Sequence, residues 1–225
     1  MDDLSNKMRL YLAEIYRLTD REQPEDGFVT TSALADVLMV SPPAVNRMVN
    51  RLKELNLIEH EPYQGIKLTE EGIRESLQHL RAHRVAEAFL SKVMGLDWDG
   101  IYSEASQIST ALNNTLIDRM AAMSGNPQFC PHGEPIPQAN GDIQAMDDIL
   151  LSDAEAETKV RVTRMRTREA DRLSYIEALG LVPDCELEVI HKAPFNGPMQ
   201  LKINNEYRII GHNLAELIRV KPLNE

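Results

Sequence analysis

The chain is sparing with cysteine, aromatic residues and cations. Its 225 residues include only Cys130 and Cys185, too few and too far apart for a disulfide framework, so a reducing compartment fits. Aromatic residues make up 5% with a single Trp, which argues against a large ligand pocket lined by rings. No apolar run reaches the roughly 18 residues of a membrane span. The first twenty residues carry charges throughout instead of a signal peptide's apolar core. The expectation is a cytoplasmic protein with no membrane partner. Lys and Arg number 24 against 35 Asp and Glu, a net charge of −11, which works against phosphate binding over any broad surface.

The acidity is uneven. Residues 1–75 hold 9 basic and 14 acidic groups, residues 76–156 hold 4 and 11, and residues 157–225 hold 11 and 10. The differences are −5, −7 and +1. Any nucleic-acid surface must therefore be a local patch, and the middle region would gain most from a multivalent cation.

The first segment reads as helices and a hairpin. Met8, Leu12, Ile15 and Tyr16 share one helical face, which DREQPEDG ends. Thr30 or Thr31 can cap a second helix that packs Leu34, Val37 and Leu38. Ser41, Pro42 and Pro43 interrupt the chain and restart it as PAVNRMVNRLKEL. LNLIEHEPYQGIKLT follows as two strands around a turn at Gln64 and Gly65. Helix, turn, helix and hairpin in this order form a winged helix-turn-helix.

Within the third helix Val45, Met48, Leu52 and Leu55 face inward, and Asn46, Arg47, Asn50, Arg51 and Lys53 project outward. From Ser41 to Lys53 there are three basic residues and no acidic one. Arg and Asn match the hydrogen-bonding edges of guanine and adenine. Asn46, Arg47, Asn50 and Arg51 are the candidate base and phosphate contacts, with Ser41, Pro43, Lys53 and Lys67 beside the backbone. The partner implied is double-stranded DNA.

Residues 70–124 read as amphipathic helices. In the run from Ile101 to Met123, Ile101, Ala105, Ile108 and Leu112 form one stripe, bordered by the hydroxyls of Ser106, Ser109 and Thr110. Nothing there has the spacing of a catalytic constellation, so no enzyme is expected. Helices with more apolar face than so short a segment can bury suit a homodimer, which a reader of palindromic operators needs. Residues 126–156 form a connector, Pro/Gly-rich at first and then acidic in DDILLSDAEAE, which is expected to be mobile. From Thr158 the pattern turns to period two, giving four or five short strands and a small SH3-like β-barrel. The fold class is mainly α with a small β domain. The expected divisions are 1–74 for DNA binding, 75–140 for helical dimerisation, 141–156 as linker and 157–225 as the SH3-like domain.

Essentially the whole chain resembles the diphtheria toxin repressor and manganese transport regulator family. The resemblance is carried by RLYLAEIYRL, SPPAVNRMVNRLKELNLIE with GIKLTEEG, AHRVAEAFLSKVMGLDWDGIYSEA, CPHGEPIP, YIEALGLVPDCELEVIHKAPFNGP and IIGHNLAELIRV. It implies a regulator in which Mn2+ or Fe2+ favours the DNA-binding dimer and represses metal-uptake or related genes.

The resemblance also implies ligand positions, and several are replaced. Leu10, Ser106, Ser109 and Thr110 stand where the family has Met or Asp, Cys or Glu, Glu, and His. Ala13 stands where manganese-type members have Glu, and Tyr102 replaces a family histidine. Hydroxyls are poor ligands for these ions. His83 and Glu87 match family ligands at an i, i+4 spacing, and Glu104 lies on the adjoining helix. An ordinary structural reading pairs Glu87 with Arg84 or Arg81. Cys130 and His132 are half of a zinc-like set, which a second copy in a dimer would complete. Three functions stay open: a metal-controlled regulator, a regulator independent of metal or responding to another effector, and a metal-handling or interaction protein that no longer binds DNA.

Overall fold

The structure, a computed structural model, describes residues 4–223. Two compact units divide the chain. One comprises the chain to His83 with Pro137–Asp142, and the other Arg84–Ile136 with the chain from Ile143.

In the first unit, α1 (Asn6–Glu22) opens on Ser5, whose hydroxyl accepts from the Met8 amide. The Thr30 side chain caps α2 (Thr31–Leu38) by accepting from the Ala33 amide. Each cap satisfies one amide that the first helical turn leaves orphaned. Prolines occupy the first positions of α3 (Pro42–Glu54), where no backbone donor is lost. Strands β1 (Ile58–Glu61) and β2 (Gly65–Leu68) pair antiparallel, with Glu61 opposite Gly65. Val29 bridges to Ile66 and ties the hairpin to the segment before α2. Tyr11, Leu12, Ile15, Leu34, Val45, Val49, Leu52 and Ile66 form the core. Each apolar side chain so buried contributes about 1.5–3 kcal/mol before entropy is counted. Val49 completes the inward face of α3, where the sequence reading had placed Met48.

Helix α4 (Glu70–Lys92) continues into the second unit, followed by α5 (Ile101–Ser109) and α6 (Asn114–Met123). Ala86, Leu90, Ile101 and Ala105 form a small core there. The apolar stripe had carried one helical run through Leu112, but α5 stops short of it. The Asn113 side chain accepts from the Leu116 amide and starts a new helix. A short amide side chain that caps well overrides a four-residue periodicity.

The remaining strands are β3 (Ile149–Leu150), β4 (Thr158–Met165), β5 (Glu186–Lys192), β6 (Met199–Ile203), β7 (Glu206–Ile210) and β8 (Ile218–Pro222). They form one antiparallel sheet in the order β3-β8-β4-β5-β6-β7. This is the small SH3-like β domain that the sequence suggested, with an open sheet of six strands where four or five were expected. Its core of Val160, Val162, Leu187, Val189, Leu201 and Val220 includes Leu173 and Ile176 of α7 (Ala170–Ala178). A short α8 (His212–Ala215) precedes β8. The connector is more ordered than expected. Leu151, Ser152 and Ala154 are buried, and β3 joins the sheet edge.

Candidate metal centre and nucleic-acid interface

Helix α3 separates its residues cleanly. Val45, Val49 and Leu52 are fully buried, while Ser41, Pro43, Asn46, Arg47, Asn50, Arg51 and Lys53 are exposed. Some of the cations have internal partners. Arg51 donates to Glu54 at 3.0 Å and Lys53 to the His60 carbonyl at 3.1 Å. Lys67 donates to the Asp26 carbonyl at 3.0 Å and lies 5.5 Å from the Phe28 ring centroid. At such exposed sites these contacts hold little free energy. Tyr63 stands fully exposed at the hairpin tip.

In the second unit a Pro/Gly-rich turn has a defined shape. The Cys130 amide donates to Glu134 O and the Gly133 amide to Cys130 O, so residues 130–134 close on themselves. The turn brings Cys130 and His132 to Glu87 of α4. One potential ligand atom from each of the three lies within 4.8 Å of the others, and all three residues are buried. No other group of this size occurs among the described residues.

The hydrogen bonds of His132 fix how its ring is presented to the cluster. Its Nε2 lies 2.9 Å from the Trp98 carbonyl, and its Nδ1 lies 3.2 Å from Glu87 Oε1. A carbonyl oxygen only accepts, so Nε2 carries a proton. Nδ1 then meets a carboxylate that also only accepts. A proton between the two, on the ring or on the carboxyl, satisfies that contact, and so does a metal ion. A backbone carbonyl on one ring nitrogen with the other nitrogen left to a ligand is the usual support of a metal-binding histidine.

Cys130 fits the same need. Burial pushes its thiol well above the ordinary range, and the nearby Glu87 carboxylate raises it further. The thiol stays protonated until a stronger cation replaces that proton. A dication with one carboxylate, one thiolate and one neutral imidazole gives a site of zero net charge, which a buried location favours. The residues present therefore suit a divalent ion.

The positions marked in the sequence are distributed as follows. Glu87 joins Cys130 and His132, so a third potential ligand comes from the same chain. Arg84 turns to the Pro135 carbonyl at 2.6 Å and to Glu134 at 3.0 Å, away from the pairing with Glu87 considered above. His83 is buried in the first unit, and Glu104 is exposed on α5. Leu10 is 38% exposed on α1. The hydroxyls of Ser106, Ser109 and Thr110 donate to the carbonyls of Tyr102, Ser106 and Gln107 on their own helix. The Cys-x-His spacing was visible in the sequence as a pair. Its third member lies 43 residues away in sequence, and no local spacing could announce it.

Residues 3–66 match the family model of the iron-dependent repressor N-terminal DNA-binding domain. Residues 69–138 match the iron-dependent repressor metal-binding and dimerisation domain, and residues 149–222 the FeoA domain. The iron-dependent repressor IdeR of Mycobacterium tuberculosis is 26% identical over 234 residues, covering 98% of this chain and 99% of that protein. An uncharacterised helix-turn-helix transcriptional regulator of Methanocaldococcus jannaschii is 33% identical over 118 residues, 52% of this chain and 91% of the relative. Among solved structures, a manganese-dependent transcriptional repressor in complex with manganese is similar at a TM-score of 0.89 and 28% identity, with 96% of this chain and 100% of that one covered. The chain belongs to the iron-dependent repressor family, in the form that carries a FeoA domain after its DNA-binding and dimerisation domains.

Proposed function

We propose that this protein is a homodimeric, sequence-specific DNA-binding regulator of metal-homeostasis genes, controlled by a divalent ion that Glu87, Cys130 and His132 hold. The observation that carries the metal part is the contact of His132 Nδ1 with the Glu87 carboxylate beside a buried thiol. A bound ion would supply the positive charge which that contact needs and would link α4 to the 130–134 turn. Glu87 and Cys130 provide the negative charge, and the Trp98 carbonyl fixes the ring so that Nδ1 faces inward. Of the two ions that the resemblance implies, ferrous iron suits a set containing thiolate better than manganese.

Leu10, Ser106, Ser109 and Thr110 contribute no ligand in this reading. One is apolar, and the three hydroxyls bond to their own helix. His83 and Glu104 stand outside the set. On the DNA side, Asn46, Arg47, Asn50 and Arg51 read bases and phosphates, and Ser41, Pro43, Lys53 and Lys67 lie along the backbone. The protein catalyses no reaction.

The replaced ligands also favour a second reading, in which DNA binding no longer depends on metal. Fluorescence anisotropy with operator DNA selected from genomic fragments separates the two. With anaerobic Fe2+ the metal reading expects affinity at least about tenfold tighter than with a strong chelator, about 1.4 kcal/mol. Cys130→Ser should lose that gain. Binding that is equally tight in chelator, for the native chain and for Cys130→Ser alike, would establish the metal-independent reading.

A further inference from the structure

The turn that carries Cys130 and His132 is gripped from two sides by buried arginines, and neither arginine is a ligand. Glu134 Oε2 receives Arg84 Nη2 of α4 at 3.0 Å and lies 3.5 Å from Arg164 Nη1 of β4. Arg84 and Arg164 are 3% and 2% exposed. Arg164 also binds Asp148 through Nε at 2.9 Å and Nη2 at 3.1 Å, and Arg219 of β8 reaches the same carboxylate at 3.0 Å. The turn is fitted to β4 by backbone as well. The Met165 amide donates to the His132 carbonyl at 2.9 Å, and a Cβ on Gly133 would lie 1.9 Å from the Thr163 carbonyl oxygen.

Arg84 lies three residues before Glu87 on α4, a spacing that makes helical side chains neighbours. Glu134 fastens the turn and, together with the Pro135 carbonyl at 2.6 Å, occupies Arg84. We propose that Glu134 is a positioning residue of the ion site, holding the Cys130–His132 turn between Arg84 and Arg164 and keeping Arg84 off Glu87. The β4 strand thereby contributes to ion affinity without supplying a ligand. This inference rests on the proposed Glu87, Cys130 and His132 set.

The test is Co2+ titration of the full chain under reducing conditions, following thiolate-to-cobalt absorption in the near ultraviolet. Cys130→Ser should lose the band, and a variant that binds Co2+ with an unchanged band removes the ion site itself, whatever Glu134 does. Glu134→Gln should keep the band at saturation while affinity falls about 10- to 100-fold, as for other outer partners of metal ligands. Affinity equal to that of the native chain, with the Cys130 result intact, overturns the positioning role alone. Adding Arg84→Met to Glu134→Gln should recover affinity, because the competitor for Glu87 is gone. A double variant weaker than the single one overturns the competition. Should Glu134→Gln fail to fold by circular dichroism, Glu134→Asp takes its place, and Co2+ affinity unchanged from the native value then overturns the proposal.

Discussion

Single side chains here are set by what surrounds them as much as by what they are. His79 of α4 is desolvated and faces Arg17, His83 and Arg9, with Glu14 opposing them, and its pKa falls to about 4. The unfolded chain takes up that proton near the ordinary value of about 6.5. Above pH 6.5 both states are neutral at this position and its contribution is complete. As pH falls from 6.5 towards 4 the unfolded state binds the proton first, and stability declines. Thermal unfolding between pH 7 and 4.5 should show a smaller loss in His79→Gln than in the native chain. Equal losses in both would rule out His79 as the titrating group. None of this was legible in the sequence, where His79 is one polar position on an amphipathic helix and its neighbours on α1 lie more than sixty residues earlier. The same holds for Glu87, whose partners in the second unit had to be found by folding.

Elements were the most legible scale, and their failures have specific causes. The apolar rhythm of α1 and α2 and the prolines of α3 read correctly, because each is a local interaction within a few residues; of the two threonines offered as a cap Thr30 is used, and on α3 Val49 takes the inward place given to Met48. Three features were hidden. Asn113 ended one helix and began the next. Two residues of the acidic connector joined a sheet edge whose partner is far downstream. In β4 a shift in register between Val162 and Arg164 leaves Arg164 and Met165 both buried, which strict alternation does not anticipate. Two predictions belong at this scale. Gly65, at φ +125° and with the Val29 carbonyl oxygen 2.2 Å from where a Cβ would sit, holds the hairpin against the segment before α2. Gly65→Ala should lower the unfolding free energy read from urea titration by about 1–3 kcal/mol, as for a strained backbone position; an unchanged midpoint contradicts this role. On α3, Arg47→Ala should cost about 1–3 kcal/mol in operator affinity if it reads a base. No change in anisotropy for Arg47→Ala together with Arg51→Ala would favour a protein that has left DNA binding behind.

Across the whole molecule, net charge and charge placement point in different directions, and placement decides. The chain carries −11, yet the acidic excess of its middle segment is partly an effect of where the segments are cut. Asp148, counted there, is paired with Arg164 and Arg219 of the last segment. Residues 3–66, which match a DNA-binding domain model, hold the cations of α3 and the hairpin, so nucleic acid is their natural counterpart. Four cations per protomer, Arg47, Arg51, Lys53 and Lys67, are available to phosphates. At a slope of roughly −0.9 per neutralised phosphate, a dimer using all eight gives log affinity against log salt a slope of about −7. Lys53 and Lys67 must release carbonyl partners to take part, which lowers the number if those bonds persist. Operator titrations from 50 to 300 mM KCl should therefore give a slope between about −4 and −7, the lower bound being Arg47 and Arg51 alone. A slope beyond about −10 would require cations from elsewhere on an acidic surface, and would move the DNA-binding face away from α3.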